Sequence, residues 1–378
     1  MHFSLTAITV IVSVSVWSLA DGAGFSLGAD QTEAPSSDDV MDPQSVQCVL
    51  RLVDSRQFHG VALIGSADGS FEVVVRDQQA GHVGEIEAAT RFNTGSMFKV
   101  VTAVSIAQLV ERRLLSYDDT LGMHMQGIPL AYREVTIAEL LSHTGGAGNF
   151  PSPEDMELVL SHESLPELRH VVFSEPLGTR GDHRYSNAGY IILGLLIEGV
   201  SGLDYESYIQ SNVLDVAEMT NTTLRPDRGM AQPFTRRRMP SSERQQRDGE
   251  ERSLTRSPIG QHRGTPAGGV FSTAEDIFRF ARAFLNNELI SSTQVDTLLE
   301  GRVGRVTRAG VDGEYGYGFA LYGDGSAGHS GGGPGVNGSL RFFRETGTIV
   351  VALTNVDPPM ASNLAAALTH QISNEECQ

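Results

Sequence analysis

The 378-residue chain has only two cysteines, Cys48 and Cys377, too few for a disulfide-dense small scaffold or a cysteine-based structural zinc site. Its 11 histidines form no H-E-x-x-H pair, and no glycine-rich loop is followed by G-K-[ST], so the usual signs of a zinc protease and of a P-loop are missing. Positive charge is the scarcer sign. With 28 Lys and Arg against 46 Asp and Glu the net charge is −18, which argues against a nucleic-acid-binding surface and against attraction to anionic membranes. Internal repeats are absent, and the apolar run at the N-terminus falls short of the roughly 20 residues that a spanning helix needs.

What is present is ordinary for a soluble globular protein: 40% apolar and 20% charged residues, on a chain long enough for a substantial core. Residues 1–20 read as a signal peptide. Leu5 to Leu19 is apolar and β-branched, and Ser18-Leu19-Ala20 offers small residues where a signal peptidase reads. His2 and the terminal amine are the only positive groups ahead of that run, so an N-terminal membrane anchor is the alternative. The expectation is an exported protein, periplasmic or secreted. Residues 21–44 are polar, acidic and rich in turn formers, and read as a flexible leader.

From there the pattern becomes regular. Val46, Val49, Leu50 and Val53 follow amphipathic-helix spacing, and VALIG (61–65) and FEVVVR (71–76) read as strands around the turn formers Ala67-Asp68-Gly69. A helix opens near Thr94. TIAELLSH begins with a capping box from Thr136 to Glu139, and STAEDIFRFARAFL with another from Ser272 to Glu275. AGYIILGLLIEGVSG (188–202) is a strongly apolar helix that Gly202 can close. Arg236 to Arg263 is dense in charge and reads as an exposed insertion. LRFF (340–343) and TIVVALTN (348–355) read as paired strands, followed by a helix carrying Leu364, Leu368 and Ile372.

Strands therefore cluster at both ends and helices fill the middle. The economical arrangement is α+β: an antiparallel sheet built from both chain ends and flanked by the terminal helices, with a mostly helical lobe inserted. Domain bounds of 45–375 follow, with one lobe from about 45–114 and 265–375 and the other from about 115–264. The cleft between them is the expected site. The same arrangement brings Cys48 and Cys377 into one neighbourhood, and a bridge between them is expected.

The stretch TGSMFKVVTAVSIAQLV (94–110) places Ser96 and Lys99 three apart at the head of an apolar helix. Residues so spaced share a face, which brings hydroxyl and amine within reach. A serine is a poor nucleophile until a base takes its proton, and an ammonium becomes a base only when desolvation lowers its pKa. The Ser96 amide, in the first turn, has no intrahelical acceptor and is free for an oxyanion. The plain alternative is a capping serine beside a solvated lysine.

Two further stretches add weight. In GDHRYSNAGY, Tyr185 and Asn187 stand at the entry to the 188–202 helix, able to relay a proton and to hold a carbonyl, or else to serve as core aromatic and helix cap. In GHSGGGPGVNG, His329-Ser330-Gly331-Gly332 precedes a strand; the glycines let substrate lie against backbone and the Gly332 amide can complete an oxyanion hole. The alternative is a glycine-rich hairpin.

Together with LLSHTGG (140–146) and TPAGGVFSTAEDIFRFA (265–281), these motifs resemble the serine β-lactamase and penicillin-binding-protein superfamily over residues 45–375, above all its class C, DD-peptidase and esterase branch. The resemblance implies Ser96 as acylated nucleophile, Lys99 and Tyr185 as general base and acid, and Asn187, His329, Ser330 and Gly331 as substrate contacts. It implies an oxyanion hole from the Ser96 and Gly332 amides, and a structural role for His143. His329 stands where β-lactamases usually carry lysine, which shifts the expectation from lactam hydrolysis toward an esterase or DD-carboxypeptidase-like hydrolase. A class C-type β-lactamase and a non-catalytic binding protein of the same fold are the alternatives. No cofactor, metal or nucleic acid is expected, only a small ester, peptide or lactam substrate and a monomeric protein.

Overall fold

The computed structural model describes residues 11–13, 50–54, 58–76, 86–149, 153–226, 230–231, 234–236, 254–256, 262–307 and 310–373. The expected Cys48–Cys377 bridge, the 21–44 leader and most of the 236–263 insertion lie outside these residues.

A nine-stranded antiparallel sheet organises the chain. Its strands are β1 (Ile11–Ser13), β2 (Gly60–Ser66), β3 (Phe71–Arg76), β4 (Val303–Thr307), β5 (Gly310–Tyr315), β6 (Ala320–Leu321), β7 (Ala327–Gly333), β8 (Val336–Phe342) and β9 (Thr348–Thr354). Their spatial order is β1-β3-β2-β9-β8-β7-β6-β5-β4. The two chain ends meet at β2 and β9, where Ala62 faces Ala352 and Leu63 faces Val351. Both strands are buried along nearly their whole length. They read as continuous apolar runs, with no polar alternation, because the sheet is covered on both faces. β1 falls inside the stretch read as a signal peptide and pairs with β3 at the sheet's edge, Val12 opposite Val73.

Four long helices define the layers: α1 (Lys99–Glu111), α2 (Asn187–Ser201), α3 (Ala274–Leu285) and α4 (Met360–Ser373). α4 covers the outer face, where Leu364, Ala365 and Leu368 meet Ala62, Ile64, Val350 and Ala352. The inner face packs on α1 and α3, and α1 packs in turn against α2, so one larger core runs from the sheet into the helical part. α1 is buried on all sides through Leu109. A helix so enclosed has no polar face, which is why its sequence lacks amphipathic periodicity.

Several local expectations shift by a residue. The helix expected near Thr94 begins as a 3₁₀ turn, Gly95–Phe98, that runs into α1. The Thr136–Glu139 capping box is present, but α3 is capped by Thr273, which accepts from the Asp276 amide, and not by Ser272. Ser272 is instead held in a short strand, Phe271–Ser272, opposite Phe92–Asn93. Within the charged insertion, Leu254–Arg256 pairs with Phe234–Arg236. Among the described residues no single helix is long and apolar enough to cross a membrane.

Candidate active site

Thr94 is pinned before the chain turns: its amide and hydroxyl both donate to the Val270 carbonyl, at 2.9 and 2.8 Å. The 3₁₀ turn then raises Ser96, and one turn later Lys99 enters the core with 0% of its surface exposed. Lys99 Nζ lies 3.2 Å from Ser96 Oγ, 2.8 Å from Asn187 Oδ1 and 2.6 Å from the Ala267 carbonyl. The ring of Tyr185 lies 4.7 Å away and that of Tyr190 5.4 Å. No ion pair to Lys99 occurs among the described residues. Burial accordingly holds its pKa well below the usual lysine range.

This geometry suits a neutral amine. Such a group has two N–H bonds and one lone pair, and the Asn187 and Ala267 carbonyl oxygens can only accept. Donating to both leaves the lone pair toward Ser96 Oγ, the one neighbour with a proton to give.

Tyr185 and Asn187 are placed by the start of α2. Ser186, not Asn187, is the helix cap: its hydroxyl accepts from the Gly189 amide and donates to the Gly148 carbonyl. Asn149 clamps the same entry, donating to the Tyr185 carbonyl at 3.0 Å and accepting from the Asn187 amide at 2.8 Å. Tyr185 Oη is sealed from solvent without a hydrogen bond of normal geometry. Burial pushes its pKa upward, partly offset by the neighbouring Ser96 hydroxyl, so the group is a phenol and not a phenolate.

His143 lies beneath this turn in a left-handed conformation (φ 60°). Its Nδ1 accepts from the Ser186 amide at 3.2 Å, and its ring sits 4.3 Å from Tyr185 and 4.9 Å from Tyr315. Burial, then the nearby Lys99, drives its pKa well below the ordinary histidine value.

The third wall is β7, held in register with β8 by pairs such as Gly331–Gly338 and Gly332–Asn337. A Cβ on Gly331 would come within 1.9 Å of the Thr94 carbonyl, so only glycine lets this strand reach the serine turn. The same imagined atom lies 2.9 Å from the Ser96 amide nitrogen, and one on Gly95 lies 2.9 Å from that of Gly332. The two expected oxyanion amides thus belong to adjoining backbones. Gly268 makes a matching approach from the other side, where a Cβ would stand 2.2 Å from the Gly95 carbonyl.

His329 turns into the protein, with 5% of its surface exposed. Its Nδ1 donates to the Ser330 carbonyl at 2.7 Å, so its Nε2 accepts from Tyr315 Oη at 3.0 Å. Burial, then the nearby Lys99, lowers its pKa to about 3. The side chain in place of the usual lysine is therefore neutral. Ser330 is partly exposed beside it.

The structure thus gathers Ser96, Lys99, Tyr185, Asn187 and the 329–332 strand around one point. Sequence reasoning missed three contributors: Asn149, the Ala267 carbonyl and Tyr315. A compositional signal was also available, since Lys99 is the sole lysine of the chain and every other basic residue is arginine.

Fold and site together define a class of structure: a large antiparallel sheet joined to a helical part, with a serine hydroxyl 3.2 Å from a buried lysine amine. The chain belongs to the Beta-lactamase family, whose profile matches residues 46–373. It is 25% identical to penicillin-binding protein 4* of Bacillus subtilis over 70% of its own length and 60% of that protein's, so it spans less than two thirds of that relative. The crystal structure of a penicillin-binding protein from Bacillus halodurans superposes with a TM-score of 0.71 at 25% identity, covering 85% of this chain and 98% of the other. The D-amino acid amidase of Ochrobactrum anthropi SV3 shares the fold, with a TM-score of 0.69 at 18% identity over 88% of this chain and 97% of the other.

Proposed function

We propose that this protein hydrolyses small esters or amides, including peptide amides, through an acyl-enzyme on Ser96. The observation that carries the reading is the buried amine of Lys99, with no ion pair among the described residues, held 3.2 Å from the Ser96 hydroxyl. Lys99 takes the Ser96 proton as Oγ attacks the substrate carbonyl. The oxyanion forms between the Ser96 and Gly332 amides, close to the helix start, where negative charge is favoured. As the oxyanion collapses and the bond to the leaving group breaks, Tyr185, a phenol at rest, passes its proton to the leaving group and is reprotonated by the proton held on Lys99, so both are neutral again in the acyl-enzyme. Asn187 contacts the acyl side while keeping Lys99 aligned. Water then enters by the reverse route and releases the acid.

Substrate class follows from charge. A neutral His329 offers no cation to the carboxylate that accompanies a bicyclic lactam, which favours uncharged esters and amides over efficient lactam hydrolysis. That the same fold serves a D-amino acid amidase is compatible with this choice. Export with cleavage after residue 20, which removes the edge strand β1, and a monomeric state complete the proposal.

The test is burst release from a p-nitrophenyl ester, with mass spectrometry after a fluorophosphonate. The expected result is one adduct per chain, on Ser96, and no burst from Ser96→Ala. A labelled serine elsewhere, or an unlabelled folded protein, would overturn the reading in favour of a binding protein.

A further inference from the structure

The two amides proposed for the oxyanion have unequal foundations. That of Ser96 sits in the 3₁₀ turn Gly95–Phe98, which runs straight into the enclosed helix α1. That of Gly332 lies in a run of three glycines, Gly331-Gly332-Gly333, at the end of β7. Glycine enters conformations closed to other residues, so a peptide between two glycines turns over at little steric cost. A group outside the run must therefore fix the Gly331–Gly332 peptide, whose nitrogen is the proposed donor and whose oxygen is the Gly331 carbonyl.

Asn337 supplies that group. It lies on β8 directly opposite Gly332 and is 1% exposed. Its Nδ2 donates to the Gly331 carbonyl and to Ser362 Oγ, both at 3.0 Å. Its Oδ1 accepts from the Ala361 amide at 2.7 Å and the Ser362 amide at 3.3 Å, in the first turn of α4. The side-chain amide can face only one way, because the backbone N–H groups only donate and the Gly331 carbonyl only accepts. The segment leading into α4 grips the same hairpin. Asp357 Oδ1 accepts from the Gly335 amide at 2.8 Å, and a Cβ on Gly332 would stand 3.0 Å from Pro358 Cγ.

We propose that Asn337 is a positioning residue for acyl transfer at Ser96: its bond to the Gly331 carbonyl keeps the Gly332 N–H aimed at the oxyanion and strengthens it as a donor. Turning the peptide over would point a carbonyl where the N–H now stands and leave Nδ2 without its acceptor. Donation to a peptide oxygen also polarises the N–H of the same peptide, so the bond from Nδ2 and the bond to the oxyanion reinforce each other. The positive end of the α4 dipole, at Asn337 Oδ1, stands behind this chain. Asn337 transfers no proton. The inference rests on the acyl-enzyme reading given above.

The experiment compares burst rates of a p-nitrophenyl ester and of its thionoester, in which sulfur replaces the carbonyl oxygen. Full-length wild type, Asn337→Asp and Ser362→Ala are measured at pH 8. Asn337→Asp keeps an acceptor for the two α4 amides and removes only the donor. Its ester rate should fall at least tenfold, set against about 10²–10³-fold for losing a whole oxyanion donor. The thionoester, whose sulfur is a poorer hydrogen-bond acceptor, should lose less, so the oxygen-to-sulfur rate ratio falls at least fivefold. Ser362→Ala removes the other Nδ2 partner and should leave both rates within twofold of wild type. Should Asn337→Asp not fold, Asn337→Ala replaces it with the same expectation. Unchanged rates, equal slowing of the two esters, or an equal loss in Ser362→Ala overturns the inference while the hydrolase reading stands. No burst from the wild type overturns that reading, and the inference with it.

Discussion

Both faces of the central sheet are dry, yet they bury different chemistry. Outside, under α4, the contacts are between aliphatic side chains such as Ile64, Val350, Leu364 and Leu368. The buried cation near that layer, Arg76, has a carboxylate partner in Asp54 at 2.7 Å. Inside, Lys99, His143 and His329 are buried with no ion pair among the described residues, and Tyr315 and the hydroxyl of Tyr185 are sealed beside them. Burial shifts each toward its neutral form. An interior charge is tolerated when paired; an unpaired titratable group costs stability and persists where neutrality is itself useful. The outer layer holds the molecule together, and the inner one keeps titratable groups neutral.

That contrast can be broken first at the serine. Ser96→Ala should lower acylation by about 10⁴-fold or more, as nucleophile removal does, with an unchanged melting profile. Lys99→Arg comes next: guanidinium cannot deprotonate at accessible pH, so the burst rate should fall by about 10²–10⁴-fold, the range for losing a general base. A folded Arg variant with near-normal acylation would remove Lys99 from that role. The outer face should answer in the opposite sense. Leu364→Ala is expected to cost about 2–5 kcal/mol in denaturant unfolding while the remaining folded protein acylates at the wild-type rate.

Smaller effects sharpen the picture. Asn149→Ala removes two hydrogen bonds that set the Tyr185–Asn187 turn, each worth about 1 kcal/mol, and should slow acylation about tenfold without changing which residue is labelled. The pH dependence of stability is smaller still. Lys99 has a folded pKa below its unfolded value, so between the two the unfolded chain binds the extra proton. Stability should then rise with pH across that window, up to about 10.4. His143 and His329 add a loss of stability as pH falls below about 6.5. Denaturant curves of Lys99→Met should lack the alkaline part of the slope and keep the acidic part.

Much of this was legible in the sequence because it rests on local spacing. Ser96 and Lys99 meet across one helical turn, Gly202 ends α2 in a left-handed conformation, and FEVVVR is a strand over the expected residues. Strand clustering at the two chain ends also gave β2, β3, β8 and β9, whereas β1 and β4 to β7 were not read as strands. Contacts made across long separations were not legible. The Ala267 carbonyl reaches Lys99 from 168 residues away, and any residue type supplies a carbonyl. Asn149 acts on backbone atoms, which leaves no pattern of its own. The partner of His329 Nε2 is Tyr315, fourteen residues earlier on a neighbouring part of the sheet. The cap of α3 moved from Ser272 to Thr273 because Ser272 is needed in the short strand beside Phe92.

Because the chain holds a single lysine, the buried amine can be watched alone. Full-length protein labelled with ¹³Cε-lysine should give one lysine resonance, whose shift against pH reports the Lys99 amine directly. A midpoint far below the ordinary value of about 10.4, moving when Asn187 is replaced by alanine, is the predicted result. A midpoint near that ordinary value would mean a charged lysine at neutral pH, and Ser96 would have no base beside it.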